Sequence, residues 1–294
     1  MPLQGPTVVR RQLGRRLRRL REVAGKTERD LEEANLLSRA KLWRIETGRT
    51  PVKVPDVRAL CWLYGVDERT TESLVALAIG TNAQGWQEDY GDVLPWWFSL
   101  YLGLEASATH LYIYDAELVH GLLQTPAYVR AVHEASNPPG DEGAIEQLTK
   151  LRQERQRVLT DREPPLRLTA VFGPGVLARP VGGADAMAEQ VRRLQELNGL
   201  SHIEIRVLPW TVGAHAAMVS PFTILDFDDP DDPAVVYLES QTGSRYLEKP
   251  EELAEYRRIF DLVHAKSIPI EEFISDFPGV EKVKQVRRQQ RGVR

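Results

Sequence analysis

The chain has 294 residues, 42% of them hydrophobic and 27% charged, long enough for two domains with cores of their own. Its single cysteine, Cys61, excludes an internal disulfide and a cysteine metal cluster and fits a reducing compartment. No run approaches the ~18 apolar residues of a membrane span and the N-terminus shows no export signal, so a cytoplasmic protein without membrane contact is expected.

The net charge of −4 is unevenly spread: residues 1–50 hold 13 Lys/Arg against 6 Asp/Glu, a net +7, which leaves −11 on the remainder. A basic head suits a polyanion such as nucleic acid, although basic helix faces also occur as plain solvated surface. Residues 10–24 place Leu13, Leu17, Leu20 and Ala24 at helical spacing with arginines opposite, and Gly25 ends the helix. Thr27 opens a second helix, with Asp30 in the capping-box position and Leu31 and Ala34 inward. Residues 35–37 connect it to a third helix, capped by Ser38, which buries Leu42 and Ile45, runs to Thr47 and stops at Gly48. A fourth helix at about 55–64 buries Val57, Leu60, Cys61 and Leu63 and ends at Gly65; a fifth at about 68–79 carries Leu74, Val75 and Leu77.

Residues 80–85 read as a linker. The next stretch is dense in aromatics (Trp86, Tyr90, Trp96, Trp97, Phe98, Tyr101), with a helix expected at 97–110. A β-like run at 111–114, a helix at 126–135, a turn at 137–140 and a charged helix at 142–160 follow. From residue 166 the pattern predicts strands at 167–172, 203–208, 222–227, 235–239 and 244–247, with an acidic turn at 228–233. Helices are expected at 184–198 and at 250–266, the latter with Leu253, Tyr256, Ile259, Phe260 and Val263 inward. The fold class predicted is an all-α N-terminal domain at 1–80 followed by an α+β C-terminal domain, a sheet covered by helices. The latter is divided into an aromatic-rich helical segment at 81–165 and a sheet-containing part at 166–279, with a basic, disordered tail at 280–294.

The stretch T-E-R-D-L-E-E-A-N-L-L-S-R-A-K-L-W-R-I-E-T-G-R at 27–49 resembles the helix-turn-helix of the xenobiotic-response-element family, the Cro/phage-repressor type. The resemblance implies a five-helix bundle whose third helix enters the major groove of double-stranded DNA. It implies base reading by Arg39, Ala40 and Arg44; an arginine bonded to the O6/N7 edge of guanine contributes roughly 1–3 kcal/mol of discrimination. It implies phosphate contacts from Thr27, Ser38, Lys41 and Arg49, and a structural ion pair between Arg21 and Glu46. Four residues depart from the family pattern: Glu28 for glutamine, Glu32 for the small residue where helices two and three cross, Leu36 for the turn glycine, and Trp43 for a polar residue. Asn35 tolerates a left-handed backbone and is expected to take the turn one residue early. If the departures spoil the motif, the head is an interaction module without DNA binding.

Further stretches are similar to the C-terminal domain of actinobacterial regulators, the WhiJ-like or antitoxin-like transcriptional regulators. They are Y-L-G-L-E-A-S-A (101–108), E-L-V-H-G-L-L-Q-T-P-A-Y (117–128), L-R-Q-E-R-Q-R-V-L (151–159), L-A-R-P-V-G-G (177–183), V-L-P-W-T-V-G-A-H (207–215), S-P-F-T-I-L-D-F (220–227) and V-V-Y-L-E-S-Q-T-G-S-R-Y-L-E (235–248). Gly173-Pro174-Gly175 stands where the family usually has an acidic pair. The resemblance implies control of development or specialised metabolism and a small partner protein encoded nearby; a DNA-binding regulator of this kind is expected to be a homodimer.

The six histidines show no metal-ligand spacing, and neither a nucleophile elbow nor a phosphate loop occurs. No catalytic residue, metal or cofactor is therefore expected, and the chain is read as not an enzyme. Trp96, Trp97, Phe98 and His215 form a candidate ligand or partner pocket, weighed against a plain core or interface. Two alternatives to a gene regulator stay open: an antitoxin-like factor that sequesters a small partner, and a one-component small-molecule sensor.

Overall fold

The computed structural model describes residues 7–68, 70, 71, 74, 75, 78, 96–136, 142–228 and 233–276. The expected linker at 80–85, the turn at 137–140, most of the acidic turn and the basic tail lie outside them. The chain divides after Leu104 into two compact units.

The first unit is helical: α1 (Thr7–Val23), α2 (Glu28–Glu33), α3 (Arg39–Glu46) and α4 (Val54–Tyr64), with described positions 68, 70, 71, 74, 75 and 78 also helical. The ends follow from local chemistry. Thr27 and Asp30 form a reciprocal capping box at the start of α2, in which the Asp30 carboxylate accepts from the Thr27 amide at 2.6 Å. Ser38 Oγ accepts from the Lys41 amide at α3, and Gly65 ends α4 at φ 69°, a left-handed conformation natural to glycine. Leu13 and Leu17 of α1 join Leu31, Leu42, Ile45 and Leu60 in a single core. Each such leucine contributes about 2 kcal/mol by leaving water. In the turn between α2 and α3 Asn35 has φ 52°, as its tolerance of the left-handed region predicts, and Leu36 packs half-buried against the core.

Helix α5 (Trp96–Ser107) crosses the division in sequence and leads into the second unit. That unit is built on strands β1 (His110–Asp115), β2 (Arg167–Phe172), β3 (Ile203–Val207), β4 (Phe222–Asp226), β5 (Val235–Ser240), β6 (Gly243–Leu247) and β7 (Ile268–Pro269). They form a mixed seven-stranded sheet in the order β6-β5-β4-β1-β2-β3-β7. The centre is parallel, β1 beside β2 beside β3, and the outer pairings are antiparallel. Between the strands run α6 (Pro126–Ser136), α7 (Glu142–Gln156), α8 (Gly175–Ala178), α9 (Gly183–Asn198) and α10 (Pro250–Lys266), and α11 (Ile270–Asp276) follows β7. β1, the β-like run expected at 111–114, stands in mid-sheet, in the same unit as the strands that follow it.

Alternation along the strands sends Tyr114, Val171, Phe222, Ile224 and Val236 to one face, where Phe260 and Val263 of α10 cover them. Leu111, Ile113, Leu168, Ala170 and Phe172 are buried on the other face. The G-L-L-Q-T-P loop before α6 is held through its backbone. Buried Gln190 donates to the Leu123 carbonyl and accepts from the Thr125 amide, while Gln156 donates to the Gln124 carbonyl. Arg155 and Glu105 form a two-point pair at 2.9 Å with both side chains buried. The charged helix expected at 142–160 ends at Gln156, its last turn tightening to a 3-10 turn at Arg157–Leu159.

Candidate nucleic-acid interface

The outward face of α3 is set by what its inward face must do. Leu42 and Ile45 are nearly fully buried, and this orientation leaves Arg39, Ala40, Trp43 and Arg44 exposed on one stripe. α1 backs the helix at very short range. A Cβ on Gly14 would lie 2.3 Å from the Ile45 carbonyl oxygen and 2.7 Å from that of Glu46, so only glycine permits this crossing. The same junction holds Arg21 and Glu46 together in a two-point pair of 2.7 and 2.9 Å, with the Arg21 guanidinium also donating to the Lys26 carbonyl. Burial of both side chains makes removal of either partner costly. The hydrogen bonds to Glu46 hold the Arg21 pKa above its ordinary value.

Glu32 does not separate α2 from α3. Its side chain sits at the rim, where one oxygen accepts from the Arg39 amide at 3.3 Å and the other pairs with Arg39 Nε at 3.2 Å. A carboxylate there satisfies a free amide at the start of α3 and complements the positive end of the helix dipole. Beneath it Leu31, Leu37 and Leu42 remain packed. The arrangement ties one of the outward arginines to a neighbouring acid.

The other site residues differ in how far they are engaged. Arg44 donates to the Ala40 carbonyl of its own helix at 3.2 Å and has no carboxylate partner among the described residues. Ala40 is exposed and places no bulk beside it. Lys41 is tied to α4 through Asp56, Nζ to Oδ2 at 2.9 Å, so a phosphate would have to displace that carboxylate. Ser38 is the α3 cap. Thr27 caps α2, and its amide is already taken by Asp30, with Glu28 also in that first turn. The hydrogen bonds from Thr27 hold the Asp30 carboxyl below the usual carboxylate range. Arg49 lies over the Trp43 ring, with Cζ 4.4 Å from the centroid. Four of these features escaped the sequence reading: the Gly14 contact, the Glu32 cap, the Lys41–Asp56 pair and the Trp43–Arg49 stack. Only the first had a visible signal, a glycine inside an otherwise regular helical pattern.

The candidate pocket in the larger domain is less defined. The Trp96 and Trp97 side chains lie outside the described residues, and Phe98 stacks on Tyr101 with centroids 5.6 Å apart. His215 lies in the loop between β3 and β4, edge-on to Tyr114 at 5.8 Å, and burial lowers its pKa. Among the described residues no group of three or more His, Cys, Asp or Glu could hold a metal ion, and no helix is long and apolar enough to cross a membrane.

Residues 12–74 match a family described as a helix-turn-helix domain, the architecture of DNA-binding regulators. Residues 98–274 match a family described as a domain of unknown function, DUF5753. Comparison with curated proteins and with solved structures gave no match. The second match spans more than half of the chain, which therefore belongs to the DUF5753 family, with a helix-turn-helix domain preceding the family's defining domain.

Proposed function

We propose that the protein is a sequence-specific transcriptional regulator that reads the DNA major groove with α3. The observation that carries the reading is the outward stripe of Arg39, Ala40 and Arg44 on a helix whose back is locked to the core. Arg39 and Arg44 are the base readers, with Ala40 giving close approach; Thr27, Ser38, Lys41 and Arg49 are assigned to phosphates, which fix register. The protein binds as a homodimer, its two half-sites about one helical turn (~34 Å) apart. It acts in the cytoplasm, without catalysis, cofactor or metal. The resemblance of its C-terminal stretches to actinobacterial WhiJ-like regulators supports a role in development or specialised metabolism. Arg44→Ala is expected to weaken the specific complex by about 1–3 kcal/mol while leaving non-specific binding nearly unchanged. Gel shifts at one fixed salt concentration measure this, and an unaltered preference for the specific site would remove Arg44 from the reading set.

A second role, capture of a small partner protein, is favoured by the loop between β3 and β4, where Trp210, Met218 and Val219 are 60, 66 and 94% exposed. The two roles are compatible. A stoichiometric small protein that co-purifies with the wild type and is lost from a Val219→Asp variant is the outcome expected; equal recovery with both would exclude this loop.

A further inference from the structure

Trp43 lies inside the outward stripe of α3, one turn beyond Arg39 and next to Arg44, and 47% of it is exposed. An indole in that position is not needed by the core, which Leu42 and Ile45 fill from the opposite side. Its surroundings are cationic: Arg39 and Arg44 flank it along the helix, and the Arg49 guanidinium is stacked on its ring. A stripe with Arg44 and the stacked Arg49, beside an Arg39 paired to Glu32, favours a polyanionic partner over a basic one. The stack also restricts the ring, since Arg49 covers one of its faces.

On a DNA duplex the apolar group offered to such a ring in the major groove is the C5-methyl of thymine. We propose that Trp43 is a specificity-determining residue that contacts a thymine methyl between the base pairs approached by Arg39 and Arg44, held in that pose by Arg49. The inference rests on the DNA-binding reading above and adds to it the base that this ring selects.

The test uses the full-length chain. Duplexes are selected from a randomised pool, and each thymine of the selected site is then replaced singly by deoxyuridine, which removes the methyl and nothing else. The wild type is expected to lose about fivefold or more in affinity at one thymine per half-site, the order of a single mispositioned base pair. Trp43→Ala should bind the thymine and uracil forms equally, while Trp43→Phe, which keeps an aromatic ring, retains part of the discrimination. Arg44→Ala should keep the methyl dependence. A wild type that selects a site but is indifferent to every methyl, or a Trp43→Ala variant as methyl-sensitive as the wild type, overturns the inference alone. A wild type that selects no site overturns the DNA-binding reading and this inference with it.

Discussion

Asp115 ends β1 on the sheet face that also carries Leu111 and Ile113. Burial, with the Glu239 charge as a smaller cause, raises its pKa to about 7. The fold therefore holds this proton more tightly than the unfolded chain, whose aspartates titrate near ~3.9. Stability contributed by the protonated form is present below ~3.9 and is lost as pH rises through that value to about 7. Asp115→Asn removes the titration, so its advantage in Tm over the wild type should widen between pH 5 and pH 8. Thermal melts of both proteins at the two pH values check this, and a constant gap would contradict it. Nothing in the alternating run H-L-Y-I-Y-D marks this carboxylate, because the pattern gives the face of a residue and not what lies across from it. At the same scale the Arg21–Glu46 partnership could be named from the resemblance alone. The partner of Lys41 could not, since Asp56 is fifteen residues away on another helix.

Helix α3 is presented by α1, and the contact between them passes through Gly14. Alanine is the better helix former by about 1 kcal/mol, which would favour Gly14→Ala in an isolated helix. Here its methyl would meet the Ile45 carbonyl oxygen at 2.3 Å, so the helices must move apart. Overpacking of this kind costs about 1–3 kcal/mol, so the variant is expected to be destabilised on balance and to bind DNA more weakly through a displaced α3. Urea unfolding of the full chain decides the sign; a more stable variant would mean that the crossing can relax. The helices of the first unit were readable because apolar spacing, capping residues and terminal glycines agree along one short stretch. The one-turn α8 and the two-residue β7 were not readable, being too short for any period to register.

At the scale of the whole molecule, β1 to β6 were foreseen individually but their order in the sheet was not. A central parallel trio β1-β2-β3 flanked by antiparallel strands depends on which strands find each other across long connections, and period-two patterning does not encode that. The charge asymmetry was legible from counting alone, a basic first 50 residues on an otherwise acidic chain. It fits a molecule whose helix-turn-helix head meets phosphate while the larger domain meets something else. The most direct test of this account is genome-wide mapping of the DNA bound by tagged full-length protein, beside an Arg39→Ala/Arg44→Ala variant of unchanged fold. The account predicts discrete sites that share one paired motif, its halves about one helical turn apart, and their loss in the double variant. Sites with no common motif, or a motif that the double variant binds equally well, would contradict it.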